Sequence, residues 1–279
     1  MQDQTASRTA LATAYLRAAH QIFDAEPLVL KDPVALKLLG PDAEKRIRDA
    51  VGKYMSPQAK ALRAHVVLRS RYAEDRLETS MERGVSQYIL VGAGFDTFAV
   101  RSPAWAAHLR IIEVDHPDTQ RLKRAKISEA GIPVPGNVVF ASINFENESL
   151  EEGLIRNGIR SDKPTFFSWL GVTMYLTEPA IDATLKGLAN YPTGSEAVIT
   201  FRQPPSTQSS ASSRLADLVS EAGEPFVTYF TPEKFRDKLL EAGFAKVEFL
   251  TPDRSARYFR GGENSLPNPE RIAIASAML

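Results

Sequence analysis

Apolar side chains recur at helical spacing through the first third of the chain and then, after Gly84, give way to short β-rich runs that alternate with helical stretches. From Ser7 to His20 the small and apolar residues Ala10, Leu11, Ala14, Leu16 and Ala18 predict a helix that Ser7 can cap, and Pro27 and Pro33 break the chain beyond it. Between Pro57 and Arg83, Ala61, Leu62, Val66, Leu68, Tyr72 and Leu77 predict a long helix with arginines and acids on its other face.

Downstream, strands are predicted at Gln87–Val91, Arg110–Asp115, Asn137–Ala141, Thr165–Leu170, Glu196–Phe201, Ala245–Leu250 and Arg271–Met278. Helices are predicted near 117–130, 149–158, 178–190 and 232–243. Repeated βα units imply an α/β fold around a mostly parallel sheet. The last two strands have only Pro252, Gly261, Gly262, Pro267 and Pro269 between them and no helical pattern, so they are expected to pair antiparallel. Residues 1–84 therefore read as a helical extension and 85–279 as the α/β domain. Gln203 to Ser213, with two prolines and six serines or threonines, reads as a loop over the carboxyl edge of the sheet.

Composition narrows the function. Lysine plus arginine and aspartate plus glutamate both total 34, so there is no net field to attract DNA or RNA and nucleic acid is not an expected partner. Cysteine is absent, which removes disulfides and thiolate chemistry, and four scattered histidines suggest no metal site. No apolar run approaches the ~20 residues that span a bilayer, and Met1 to Thr13 lacks a secretory core, so the expectation is a cytoplasmic protein without a membrane partner.

The candidate chemistry begins at Ile89-Leu90-Val91-Gly92-Ala93-Gly94-Phe95-Asp96-Thr97, where a buried strand turns on two glycines and lets backbone approach a ligand. A dinucleotide fingerprint would carry a third glycine where Thr97 stands, so a cofactor without a pyrophosphate fits better. Asp115 ends the second strand, where a carboxylate can hold both hydroxyls of a ribose, and Glu113 points to the same face. Asp115 can equally cap the helix that begins at His116-Pro117.

Four ordered stretches resemble the leucine carboxyl methyltransferase family, including its bacterial branch of S-adenosylmethionine-dependent methyltransferases. They are Arg69-Ser70-Arg71-Tyr72 with Glu74-Asp75, the run from Gln87 to Thr97 with Arg101, Glu113-Val114-Asp115-His116-Pro117, and Gly171-Val172-Thr173-Met174-Tyr175-Leu176-Thr177. The resemblance implies a class I methyltransferase, Rossmann-like fold: a seven-stranded sheet with an antiparallel last strand and a helical N-terminal lid over S-adenosyl-L-methionine. It implies that Arg69, with Arg71 as second choice, binds the methionine carboxylate, that Gly92, Ala93, Gly94 and Asp96 underlie the methionine portion, and that Glu113 and Asp115 hold the ribose. Both arginines could instead pair with acids along the helix surface.

Two positions depart from the family pattern. Asn144-Phe145 stands where an acid and an apolar residue usually meet the adenine, and asparagine keeps the contact without the charge. Leu170 stands where many relatives carry glutamate. Tyr175 is a substrate-pocket candidate, or a packed core tyrosine.

The expected reaction is O-methylation of a small-molecule carboxylate or hydroxyl. A carboxylate needs no general base; a hydroxyl does, and His20, His65, His108, His116, Asp96 and Glu178 are available with none marked out by spacing. The rival readings are an NAD(P)-dependent oxidoreductase, which also uses a glycine loop and a strand-end acid, and a non-catalytic cofactor-binding protein.

Overall fold

The computed structural model describes residues 7–144, 148–204, 225–259, 265–269 and 271–279. Seven strands, β1 (Gln87–Val91), β2 (Arg110–Asp115), β3 (Val138–Ser142), β4 (Thr165–Trp169), β5 (Glu196–Thr200), β6 (Lys246–Phe249) and β7 (Ile274–Met278), form one sheet in the order β3-β2-β1-β4-β5-β7-β6. The first five pair parallel, and β7 runs antiparallel between β5 and β6. The seven-stranded, mostly parallel architecture read from the sequence is the one observed.

β1, β4 and β5 are buried at every position, because helices cover both faces of the sheet. Strand alternation sends Ile89, Val91, Phe167, Trp169 and Ile199 into a core with α8 (Leu150–Arg156), α9 (Glu178–Ala189) and α10 (Pro232–Ala242). It sends Tyr88, Leu90, Phe166 and Val198 into the opposite core, with Leu68, Tyr72 and Leu77 of α5 (Pro57–Met81). The long helix of the N-terminal extension is thus itself one of the layers on the sheet.

α1 (Arg8–Phe23) starts where Ser7 accepts the Ala10 amide at 3.0 Å, as its sequence position suggests. After the prolines come three short helices that the sequence pattern leaves unmarked, α2 (Val34–Leu38), α3 (Ala43–Asp49) and α4 (Val51–Met55). They are too short to show a period, and α2 and α3 gain their order from packing: Ala35, Leu38, Leu39 and Ile47 close a third core with Ala14 and Ala18 of α1. α6 (Phe98–Arg101) follows the glycine loop and α7 (Pro117–Glu129) follows β2. β3 begins one residue later than expected; Asn137, just before it, still accepts the Ile111 amide at 2.9 Å and donates its side-chain amide to the Leu109 carbonyl at 2.7 Å. The expected loop from Gln203 to Ser213 lies outside the described residues beyond Pro204. No helix among the described residues is long and apolar enough to cross a membrane.

Candidate functional site

At the carboxyl ends of β1, β2 and β4 the sheet opens into a pocket of about 460 Å³, the edge at which parallel α/β sheets receive ligands. Its floor is Gly92, Ala93 and Gly94, with Asp96 and Asp115 on one side and Leu170, Gly171 and Tyr175 on the other. α1 crosses one rim with Ala10, Thr13 and Arg17, and Pro225 and Val227 close another. Val227 is held there because its amide donates to the Met174 carbonyl at 2.7 Å.

The glycine loop turns at positive φ, +68° at Gly92 and +51° at Gly94. A Cβ on Gly92 would stand 2.5 Å from a Val172 methyl, and one on Gly94 would press Ala10 at 3.1 Å. The bare backbone is needed both for the turn and for the close passage of α1 and the strand-four loop. Thr97, in the place of a third glycine, is buried and donates its hydroxyl to Asp32 at 2.5 Å.

Arg17 fastens the loop from above. It donates to Asp96 at 2.9 Å and to the Phe95 carbonyl, while Asp96 accepts the Phe98 amide at 2.7 Å. Burial opposes the charge on Asp96, but Arg17, Lys123, the Phe98 amide and Arg101 outweigh it and lower its pKa below the ordinary aspartate value. Asp115 accepts the amide of Gly94 and, at 2.7 Å, that of His116. Its pKa is raised by burial, against the pull of those two amides.

Arg69 enters from α5, and its guanidinium occupies the space that the missing side chain of Gly171 leaves free: a Cβ there would lie 2.5 Å from Nη1. Burial, and then Arg17, lower its pKa to about 10 against the favourable influence of Tyr175 and Asp96. Among the described residues it makes no hydrogen bond or ion pair. One helical turn earlier His65 is held neutral, its pKa lowered to about 3 by desolvation, Arg69 and Arg202.

The structure brings together Arg69, Gly92, Ala93, Gly94, Asp96, Asp115, Leu170 and Tyr175. It leaves Arg71 outside: one position round the helix from Ser70, its side chain is exposed and pairs with Asp75 at 2.7 Å. Glu113 is also outside, because the sheet face it shares with Asp115 is covered there by α7, whose Lys123 takes it at 2.6 Å in a fully buried pair. Asn144 lies two residues beyond β3 and away from the pocket lining, its carbonyl accepting the Glu148 amide at 3.1 Å. Phe145 lies outside the described residues. The candidate base His116 does line the pocket, with Nδ1 accepting the Asp118 amide at 3.3 Å.

Sequence reasoning missed Arg17, Ser168 and Gly171 as individual site residues. Arg17 carried a signal, since it is the single cation in the small-residue stripe Ala10, Ala14, Ala18 of α1. Ser168 carried none; it is the inward residue of a buried strand, bonded to the Tyr88 hydroxyl at 2.8 Å.

Comparison with known proteins agrees with this geometry. The model of the leucine carboxyl methyltransferase family matches residues 10–189. The Bacillus subtilis protein named "Putative S-adenosyl-L-methionine-dependent methyltransferase YktD" is 30% identical over 278 residues, covering 91% of each chain. A protein of Parafrankia sp. with the same kind of name is 32% identical over 180 residues, 61% of this chain and 54% of its own. Among solved structures, a DUF574 family protein from Streptomyces avermitilis superimposes with a TM-score of 0.60 at 14% identity over 98% of this chain and 96% of that one. A structure titled as a putative methyltransferase from Thermobifida fusca gives 0.56 at 18% identity over 87% and 91%. Those two likenesses speak for the fold, and the sequence matches speak for descent: the chain belongs to the leucine carboxyl methyltransferase family.

Proposed function

We propose that this S-adenosylmethionine-dependent methyltransferase transfers its methyl group to an oxygen, carboxylate or hydroxyl, of a small molecule. The observation that carries the reading is Arg69, a desolvated guanidinium facing the pocket with no anion among the described residues to hold. A cation so placed fits a ligand that brings its own carboxylate.

The residues present suit the cofactor. Arg69 would take the methionine carboxylate, the bare backbone of Gly92 and Gly94 would leave room for the methionine portion, and Asp115 would accept from the ribose hydroxyls with the lone pairs its two amide donors leave free. Leu170 adds apolar surface. When bound, S-adenosylmethionine supplies an electrophilic methyl on a sulfonium.

The acceptor side favours oxygen. With Arg69 taken up by the cofactor carboxylate, Arg202 makes it electropositive around Tyr175, and Asp96 is committed to Arg17 on the opposite wall. Such a field repels an ammonium acceptor and keeps a carboxylate or acidic hydroxyl ionised, so the nucleophile arrives ready and the protein has only to align it and exclude water. A cavity of about 460 Å³ is in the range of small-molecule sites.

Calorimetric titration with S-adenosylmethionine, S-adenosylhomocysteine and NADH tests the cofactor: both adenosyl ligands should bind and NADH should not. A mass-spectrometric acceptor screen of matched acids, phenols and amines tests the rest. Methyl transfer to amines alone would sink the oxygen assignment.

A further inference from the structure

Arginines sunk wholly or partly in this fold hold carboxylates: Arg17 holds Asp96, Arg63 Asp24, Arg76 Glu196 and Arg101 Glu74. A guanidinium never gives up its charge, so away from water it needs an anion close by. Arg69, Arg110 and Arg202 have no carboxylate among the described residues, and of these Arg110 donates instead to the Gly158 carbonyl at 3.1 Å. Arg69 is accounted for by the cofactor, and Arg202 is left over.

Arg202 follows β5, half-buried, with its guanidinium carbon 4.1 Å from the centroid of the Phe226 ring. Its Nε is sealed from solvent without a hydrogen-bond partner, and its side-chain partner is a neutral hydroxyl, that of Tyr229. Burial lowers its pKa, and Arg271 adds to the effect. Phe226 in turn leans on Tyr175, ring centroids 5.5 Å apart, and Tyr175 lines the pocket. The neutral His65 feels the charge of both Arg69 and Arg202.

We propose that this shelf, Arg202 laid on Phe226 beside Tyr175, is an acceptor subsite that takes a carboxylate of the methyl acceptor as an anchor, distinct from the oxygen that is methylated. Phe226 lies against the guanidinium at 4.1 Å and Nε is sealed, so the carboxylate would meet the Nη1 and Nη2 side, a fork that can hold it with two parallel hydrogen bonds. A carboxylate so held has its charge neutralised and its lone pairs engaged, which makes it a poor nucleophile and a good handle. Arg202 also stands one ring behind the lining of the cofactor pocket, away from the glycine loop. The aromatic rings beside it suit a flat apolar body, so the substrate class is a hydroxylated or multiply acidic aromatic acid.

The inference rests on the methyltransferase reading, and the experiment separates the two. Protein saturated with S-adenosylhomocysteine is titrated with 2-naphthoate and with its uncharged amide, 2-naphthamide, and bound fractions are read by ligand-observed NMR. The acid should bind about tenfold tighter or more, the worth of one charge-assisted pair. Arg202→Gln should bring it down to the amide while S-adenosylhomocysteine affinity, which also reports folding, stays as in the parent, and Arg202→Lys should keep part of the preference. Equal affinities, no binding of either probe, or a preference that survives Arg202→Gln would overturn the subsite. Failure of S-adenosylhomocysteine itself to bind would bring down the methyltransferase reading and the subsite together.

Discussion

The two walls of the pocket are wired differently. At the ends of β1 and β2 the charges are spoken for: Arg17 clasps Asp96 and the Phe95 carbonyl, and Asp115 holds the Gly94 and His116 amides. Beyond β4 and β5, Arg69 and Arg202 have no carboxylate among the described residues. The charges of the first wall are balanced within the protein, so it can be rigid before any ligand arrives; the second is left electrostatically short, as suits a wall proposed to meet anions. Shape is built by the first wall and selection by the second.

The sharpest way to break that contrast is Arg17→Leu, which strands the Asp96 carboxylate and should cost about 3–5 kcal/mol of stability, read from urea unfolding. Arg69→Leu should do the reverse, leaving stability within about 1 kcal/mol but weakening S-adenosylmethionine by ~1.5–3 kcal/mol, the range of hydrogen bonds to charged groups. Calorimetry on the same samples gives both numbers, and a large stability loss at Arg69 would mean that its wall is no less finished than the other.

Asp115→Asn should weaken the cofactor by ~1–2 kcal/mol and add a pH signature. Burial raises the Asp115 pKa, so the ionised form that accepts two hydroxyls is lost on acidification earlier than for an ordinary aspartate. Affinity of the parent should therefore fall as pH drops toward a value above 3.8, and the asparagine variant should lack that limb. The smallest effect is expected at Arg71→Ala, where an exposed pair is worth ~0–1 kcal/mol and cofactor affinity should not move.

The sheet was legible because its signals are local. Short β-rich runs alternating with helical stretches need only neighbours in sequence, and so the strand runs fell within a few residues of β1 to β7. The glycine loop and Asp115 were legible for the same reason. Residue partnerships were not: Arg69 and Arg71 differ by two positions on one helix, and what separates pocket from surface is the approach of Gly171 a hundred residues later. Glu113 looked like a second ribose ligand because strand alternation gives the face but not what covers it, here Lys123. Arg17 stood out as a lone cation in a small-residue stripe, but what it holds was settled only by the passage of α1 over the glycine loop.

The void at Gly171 ties two distant positions into one hereditary unit. With φ at +78° and the Arg69 guanidinium filling the space a Cβ would need, a side chain at residue 171 strains the backbone and pushes the end of Arg69 out of its seat. Sequences drifting away from cofactor binding should therefore lose the arginine first and only afterwards replace the glycine, with asparagine the cheapest successor for that backbone. The reverse order would pass through an ancestor whose guanidinium had been displaced from its seat against the loop after β4.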